Sequence, residues 1–170
     1  GYNVRVRDIE EKFLERGRQT LNEMYERRIS RGRLTEEAKK QYMARITWLV
    51  DLKEAVKDAD IIIEAIPEIM DLKKSVIKEV TSMCPDDCVF ASNTSSLSIT
   101  EMSTAAKHPE MVIGMHFFNP PSRMTLLEII HGERTAEKAV EVAETVARAM
   151  GRDIVHVTDV PGFIANRIFC

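Results

Sequence analysis

Apolar and polar residues alternate at the start of the chain, with Val4 and Val6 set between Arg5 and Arg7, the two-residue period of a strand. The period then lengthens. Phe13, Leu14, Leu21, Met24, Tyr25 and Ile29 recur every three to four positions or multiples of that, predicting a long amphipathic helix with a heavily charged outer face. Gly32 stops it, Thr35 can cap a second short helix through Met43, and residues 46–50 are β-rich enough for another strand. A short helix near 52–57 follows. Residues 60–66, an apolar run flanked by acids, predict a parallel strand buried on both faces at the centre of a sheet. Beyond it the pattern gives a helix over 71–83, a strand over 88–92 and a helix over 99–106. Strands over 111–117 and 126–130, a helix over 136–150 and a strand over 153–157 complete it. Strand and helix alternate nearly throughout, which argues for a doubly wound, mainly parallel α/β sheet without an interior linker.

Composition narrows the class without naming a chemistry. The 170 residues are 44% apolar and 30% charged, an ordinary globular balance. Net charge is −3, and basic residues are interleaved with acids, so neither a nucleic-acid footprint nor a membrane-attracting patch is present. No apolar run is long enough to span a bilayer and no leader pattern opens the chain, so it is read as soluble and cytoplasmic. Cys84, Cys88 and Cys170 are odd in number and lack metal-ligand partners at suitable spacing, so no disulfide framework and no metal site are expected. The chain opens on a strand already in progress and closes as a helix begins, and is therefore read as an internal fragment of a longer protein.

The candidate chemistry lies at strand ends, where open α/β sheets bind ligands. Asp8 ends the first strand, where a dinucleotide fold places an acid against a ribose hydroxyl; it could equally be the acid that begins the helix. Glu64 and Glu68 bracket Ala65-Ile66-Pro67, so the backbone at Ala65 is expected at the sheet's carboxyl edge beside a cofactor, although Glu68 and Lys73 could also be a solvated helix start. Asn93-Thr94-Ser95-Ser96 follows the strand ending at Ser92 and precedes a helix, and four consecutive hydrogen-bonding side chains exceed what one cap uses, so Ser95 is expected to touch ligand. His116 ends a strand, and Glu128 stands alone among apolar residues on the next. If those strands adjoin, the carboxylate orients the imidazole and makes it a base near neutral pH; a purely structural pair is the alternative. His108, His131 and His156 are given no role, since no such partner is visible for them.

Together Ser92–Leu97, His116-Phe-Phe-Asn-Pro120, Leu127-Glu-Ile129 and Pro161-Gly-Phe-Ile-Ala-Asn-Arg167 resemble the NAD-binding domain of the L-3-hydroxyacyl-CoA dehydrogenase family, over nearly the whole chain. The resemblance implies a Rossmann-like sheet lacking here its first strand and glycine-rich loop. It implies a partial NAD-binding domain over 1–160 with a helical arm at about 10–45, and the start of a helical, dimerising C-terminal domain over 161–170. By the same resemblance His116 is the catalytic base and Glu128 its orienting partner. Ser95, Asn166 and, loosely, Arg31 meet the acyl-CoA substrate, and Asp8, Ala65, Glu68, Lys73, Ser95 and Asn119 meet NAD. The implied reaction oxidises an (S)-3-hydroxyacyl-CoA to the 3-oxoacyl-CoA, or reverses it, in a homodimer that can be fused to an enoyl-CoA hydratase. A related hydroxyacid dehydrogenase and a non-catalytic fragment are the alternatives. Without the first strand, poor independent folding and no activity are expected of these residues alone.

Overall fold

The computed structural model describes residues 1–160, Gly162 and Phe163, which divide into two compact units at Val56/Lys57. The first unit contains strand β1 (Val4–Arg7), helices α1 (Glu11–Ser30) and α2 (Glu36–Met43), strand β2 (Ile46–Leu49) and helix α3 (Leu52–Val56). β1 and β2 pair in parallel, with Val4 opposite Ile46 and Arg7 opposite Leu49. Helix α1 ends where expected because Gly32, at φ +65°, lets its own amide reach Ile29 O and the amide of Arg33 reach Arg28 O. Thr35 then caps α2, its hydroxyl accepting from Ala38 N at 3.2 Å. The apolar stripe of α1 buries little beyond Leu14, which joins Ala55 and Val56 as the buried residues of this unit.

The second unit contains β3 (Ile61–Glu64), α4 (Met70–Thr81), β4 (Val89–Ser92), α5 (Ile99–Ser103), β5 (Val112–Phe117), β6 (Leu126–His131), α6 (Glu137–Ala149) and β7 (Asp153–Thr158). They form one sheet in the order β3-β4-β5-β6-β7, parallel at every pairing except β5 with β6. Helix α6 presents Ala139, Val140, Ala143, Val146 and Ala147 on one face, the spacing a sheet-packed helix needs, against Val89, Ile113, Leu127 and Ile129. On β5, a Cβ at Gly114 would lie 2.8 Å from Ile130 Cβ and 3.0 Å from Ile99 Cδ1. Only glycine lets α5 seat there; overpacking of this kind costs about 1–3 kcal/mol.

Three expectations are corrected. β3, expected at the centre and buried on both faces, is an edge strand with Ile63 39% exposed, because among the described residues only β4 pairs with it. The absence of an interior boundary gives way to two units with separate sheets. Helix α5 stops at Ser103 rather than residue 106: the hydroxyls of Ser103 and Thr104 bond back to Thr100 O and Glu101 O, and the last amides close tighter three-residue turns. Among the described residues no helix is long and apolar enough to cross a membrane, and no group of three or more His, Cys, Asp or Glu side chains is placed to hold a metal.

Candidate active site at the carboxyl edge of the sheet

The antiparallel pairing of β5 with β6 sets His116 directly opposite Glu128, so both side chains leave the same face of the sheet. His116 Nδ1 lies 2.8 Å from Glu128 Oε2, and the two residues are only 6% and 2% exposed. A carboxylate accepts, so the contact is satisfied by a hydrogen on Nδ1, and a neutral imidazole so oriented keeps its lone pair on Nε2. Two aromatic rings frame the imidazole: Phe118 at 4.7 Å and Phe163 at 5.9 Å between ring centroids. Phe163 reaches this position through a left-handed backbone, φ 51°, after Gly162 at φ 76°. Left-handed geometry costs a non-glycine residue about 1–2 kcal/mol. The amide of Phe117 donates to Asn93 Oδ1 at 2.9 Å, tying the end of β5 to the end of β4.

A second polar cluster occupies the ends of β3 and β4. Glu64 is buried and fully engaged: Oε1 accepts from Lys73 Nζ at 2.7 Å and Ile66 N at 2.6 Å, and Oε2 from Ser92 Oγ at 2.7 Å. Lys73 is 1% exposed, its ammonium also donating to Ile66 O at 3.2 Å and lying 3.5 Å from Glu68 Oε2. Lys73 is therefore an internal strut and not a solvated helix start, because the neighbouring buried carboxylate draws its charge inward. Glu68 gathers the serine turn onto one oxygen, Oε1, which accepts from Thr94 Oγ1 (2.6 Å), Ser95 N (2.8 Å), Ser96 N (3.1 Å) and Ser96 Oγ (3.3 Å). Burial works to raise the Glu68 carboxyl, but these donors and the Lys73 charge outweigh it and hold the group below the usual carboxylate range. The capping role falls to Ser98, whose hydroxyl accepts from Glu101 N, leaving Ser95 on the exposed outside of the turn.

Of the other expected residues, Ala65 and Asn119 are exposed, Ala65 just past β3 and Asn119 just past β5. Asp8 follows β1 and is half-buried; its Oδ1 accepts from Ile9 N at 2.7 Å, while α1 begins only at Glu11 with Glu10 at its cap, so Asp8 is not the helix cap. Arg31 caps the end of α1 in the first unit, exposed. Asn166 lies outside the described residues. Sequence reasoning gave no part to Asn93, Phe118 or Phe163, for which only their place inside the quoted motifs was a signal. It also denied partners to three histidines that have them. His131 Nε2 and His156 Nδ1 are 2.9 Å apart, His156 Nε2 is 2.9 Å from Glu144, and His108 sits 3.1 Å from Glu110. Strand register brings His131 and His156 together from 25 residues apart, whereas Glu110 stands only two residues beyond His108.

Strands alternating with helices in a mainly parallel sheet, with polar groups gathered at its carboxyl edge, define a nucleotide-binding domain of the Rossmann-like class. A sequence model of the family described as 3-hydroxyacyl-CoA dehydrogenase, NAD binding domain, matches residues 1–160, and the chain belongs to that family. It is 40% identical over 168 residues to the probable 3-hydroxybutyryl-CoA dehydrogenase of Bacillus subtilis, spanning 99% of this chain and 58% of that protein. It is 37% identical over 168 residues to the fatty acid oxidation complex subunit alpha of Psychrobacter cryohalolentis, again over 99% of this chain but 23% of that protein. The crystal structure of 3-hydroxybutyryl-CoA dehydrogenase from Escherichia coli superposes with a TM-score of 0.95 at 34% identity, covering 99% of this chain and 35% of that one. The chain thus spans between about a quarter and three-fifths of these relatives' length.

Proposed function

We propose that these residues supply the cofactor-binding and proton-transfer half of an NAD-dependent (S)-3-hydroxyacyl-CoA dehydrogenase. The observation that carries the reading is the 2.8 Å contact between His116 Nδ1 and Glu128, buried at the sheet edge. The residues present fit NAD in kind. Asp8, half-buried at the end of β1, offers a carboxylate of the sort that receives ribose hydroxyls, and Ala65, Ser95 and Asn119 are exposed polar or backbone positions past the strands of the second unit. Glu68 and Lys73 enter this reading through the shape they give the serine turn. When bound, NAD supplies the acceptor for the hydride leaving C3 of the substrate.

The chain's own part is proton chemistry and placement. Nε2 of His116 takes the proton of the 3-hydroxyl, and Glu128 stabilises the imidazolium that results, as general-base catalysis requires. Ser95, held by the Glu68-centred turn, and Asn166 position the hydroxyacyl group, and Arg31 is the basic residue assigned to the CoA phosphates. The reading extends to a helical, dimerising domain following residue 160 and to fusion with an enoyl-CoA hydratase as one setting, in keeping with a chain that spans 23% of a fatty acid oxidation complex subunit alpha. The test is oxidation of NADH by the intact chain with acetoacetyl-CoA, followed at the nicotinamide absorbance, with free acetoacetate as the comparison and His116→Ala as the control. The reading requires turnover of the thioester, inhibition by free CoA and loss of turnover in the variant. Equal use of the free acid would instead mark a hydroxyacid dehydrogenase, and no turnover at all a non-catalytic domain.

A further inference from the structure

Residues 118–125 join β5 to β6, and their first residue, Phe118, lies against His116. From Asn119 through Thr125 the segment is exposed, and its own bonds are few: Arg123 N and Met124 N both donate to Pro120 O, at 2.9 and 3.1 Å. What fastens it comes from the far end of the unit. Arg152 Nη1 donates to Pro121 O at 2.8 Å and to Met124 O at 2.7 Å, so both hydrogens of that nitrogen go to loop carbonyls. The same guanidinium lies over the ring of Phe117, 5.8 Å from its centroid. The next residue completes the clasp: Asp153 Oδ2 accepts from Thr125 Oγ1 at 2.6 Å and Asp153 N donates to Thr125 O at 3.0 Å. Gly151, at φ +68°, turns the chain out of α6 so that this dipeptide meets the loop.

We propose that Arg152 is a positioning residue for the reaction assigned above, a role that rests on that reading of the site. By holding two carbonyls of the loop, it keeps Phe118 against the imidazole and Asn119 at the sheet edge, although it touches neither His116 nor Glu128. A flat cation suits the task, because it can lie on an aromatic face while its edge donates to carbonyls. Releasing the loop lets the groups beside the base drift, and displacements of about 1 Å can cost up to roughly 100-fold in rate.

The test uses the intact chain, with Arg152→Ala assayed for acetoacetyl-CoA reduction by NADH and for hydrogen exchange at the Arg123 and Met124 amides. The expected result is faster exchange at those two amides, kcat/KM lower by about tenfold or more, and partial recovery of kcat/KM on adding millimolar guanidinium. Should Arg152→Ala not fold, Arg152→Gln, which keeps a donor but loses reach and charge, is read in the same way. Unchanged exchange overturns the proposal, as does faster exchange with wild-type kinetics, which would leave Arg152 a purely structural clasp. Failure of the functional reading is distinguishable, since it shows as an inactive wild type before any variant is compared.

Discussion

At His116 the direction of one hydrogen bond decides the chemistry. In the proposed reaction a neutral His116 that donates from Nδ1 to Glu128 presents Nε2 as the acceptor for the substrate hydroxyl. Glu128→Gln keeps the volume but brings an amide that can donate to Nδ1 and favour the other tautomer, and it removes the charge opposite the imidazolium. We expect kcat to fall by about 10²–10⁴-fold with little change in KM for the thioester, measured by steady-state reduction of acetoacetyl-CoA. An unaltered kcat would leave Glu128 as packing. The same scale explains why Glu64 and Lys73 sit so deep: each satisfies the other, and Ser92 and the Ile66 backbone take up what remains.

Among the elements, α5 shows how a short helix is held by a residue distant in sequence. Asp159, just after β7, accepts from Ser98 Oγ at 2.7 Å, Ile99 N at 3.0 Å and Thr100 N at 2.7 Å, covering amides that the helix leaves unpaired. Burial pushes its carboxyl up, but the Thr100, Ser98 and Ile99 donors prevail and hold it below its ordinary value. A depressed folded-state pKa means that the stabilisation is fully present above the unfolded-state value and is lost as pH falls through the folded one. Asp159→Ala should therefore cost about 1 kcal/mol near neutral pH, a drop of about 2–4 °C in Tm. That gap between wild type and variant should close as pH is lowered below the ordinary aspartate range; calorimetry at several pH values would show it, and a gap independent of pH would refute it.

Periodicity sufficed for the elements themselves: α1, the Gly32 stop, the Thr35 cap and α6 all stand where the pattern placed them. His116 and Glu128 were legible because each interrupts an apolar strand, and a lone charge there needs a partner. Pairings set by register were not. Nothing in the spacing of His131 and His156, or of Arg152 and Pro121, shows that diagonal positions on neighbouring strands or a helix end and a loop will meet. β3 misled for a related reason: an apolar run reports burial potential, while edge or centre depends on which strands are present to pair with it.

Over the whole molecule, burial is unequal. The unit Gly1–Val56 buries Leu14, Ala55 and Val56, whereas the unit from Lys57 onward surrounds β4, β5 and β6 with an apolar cluster on both sides. Native-state opening follows buried apolar contact. Hydrogen exchange on the intact protein should therefore find, within these residues, the amides of β4, β5 and β6 the slowest and those of β1 and β2 much faster. Uniform protection across the two units would contradict that ordering.

The antiparallel step between β5 and β6 has a consequence for how this architecture can change. Because the ladder itself sets His116 opposite Glu128, the spacing of base and carboxylate is indifferent to the length of the segment joining the two strands. Residues can be gained or lost between Phe118 and Thr125 without changing which residues the ladder sets face to face. A single residue inserted within either strand, between the pair and the rest of its ladder, would instead throw one of the two side chains onto the opposite face. The pairing works as a ruler that fixes the imidazole and the carboxylate to each other whatever the connection between them.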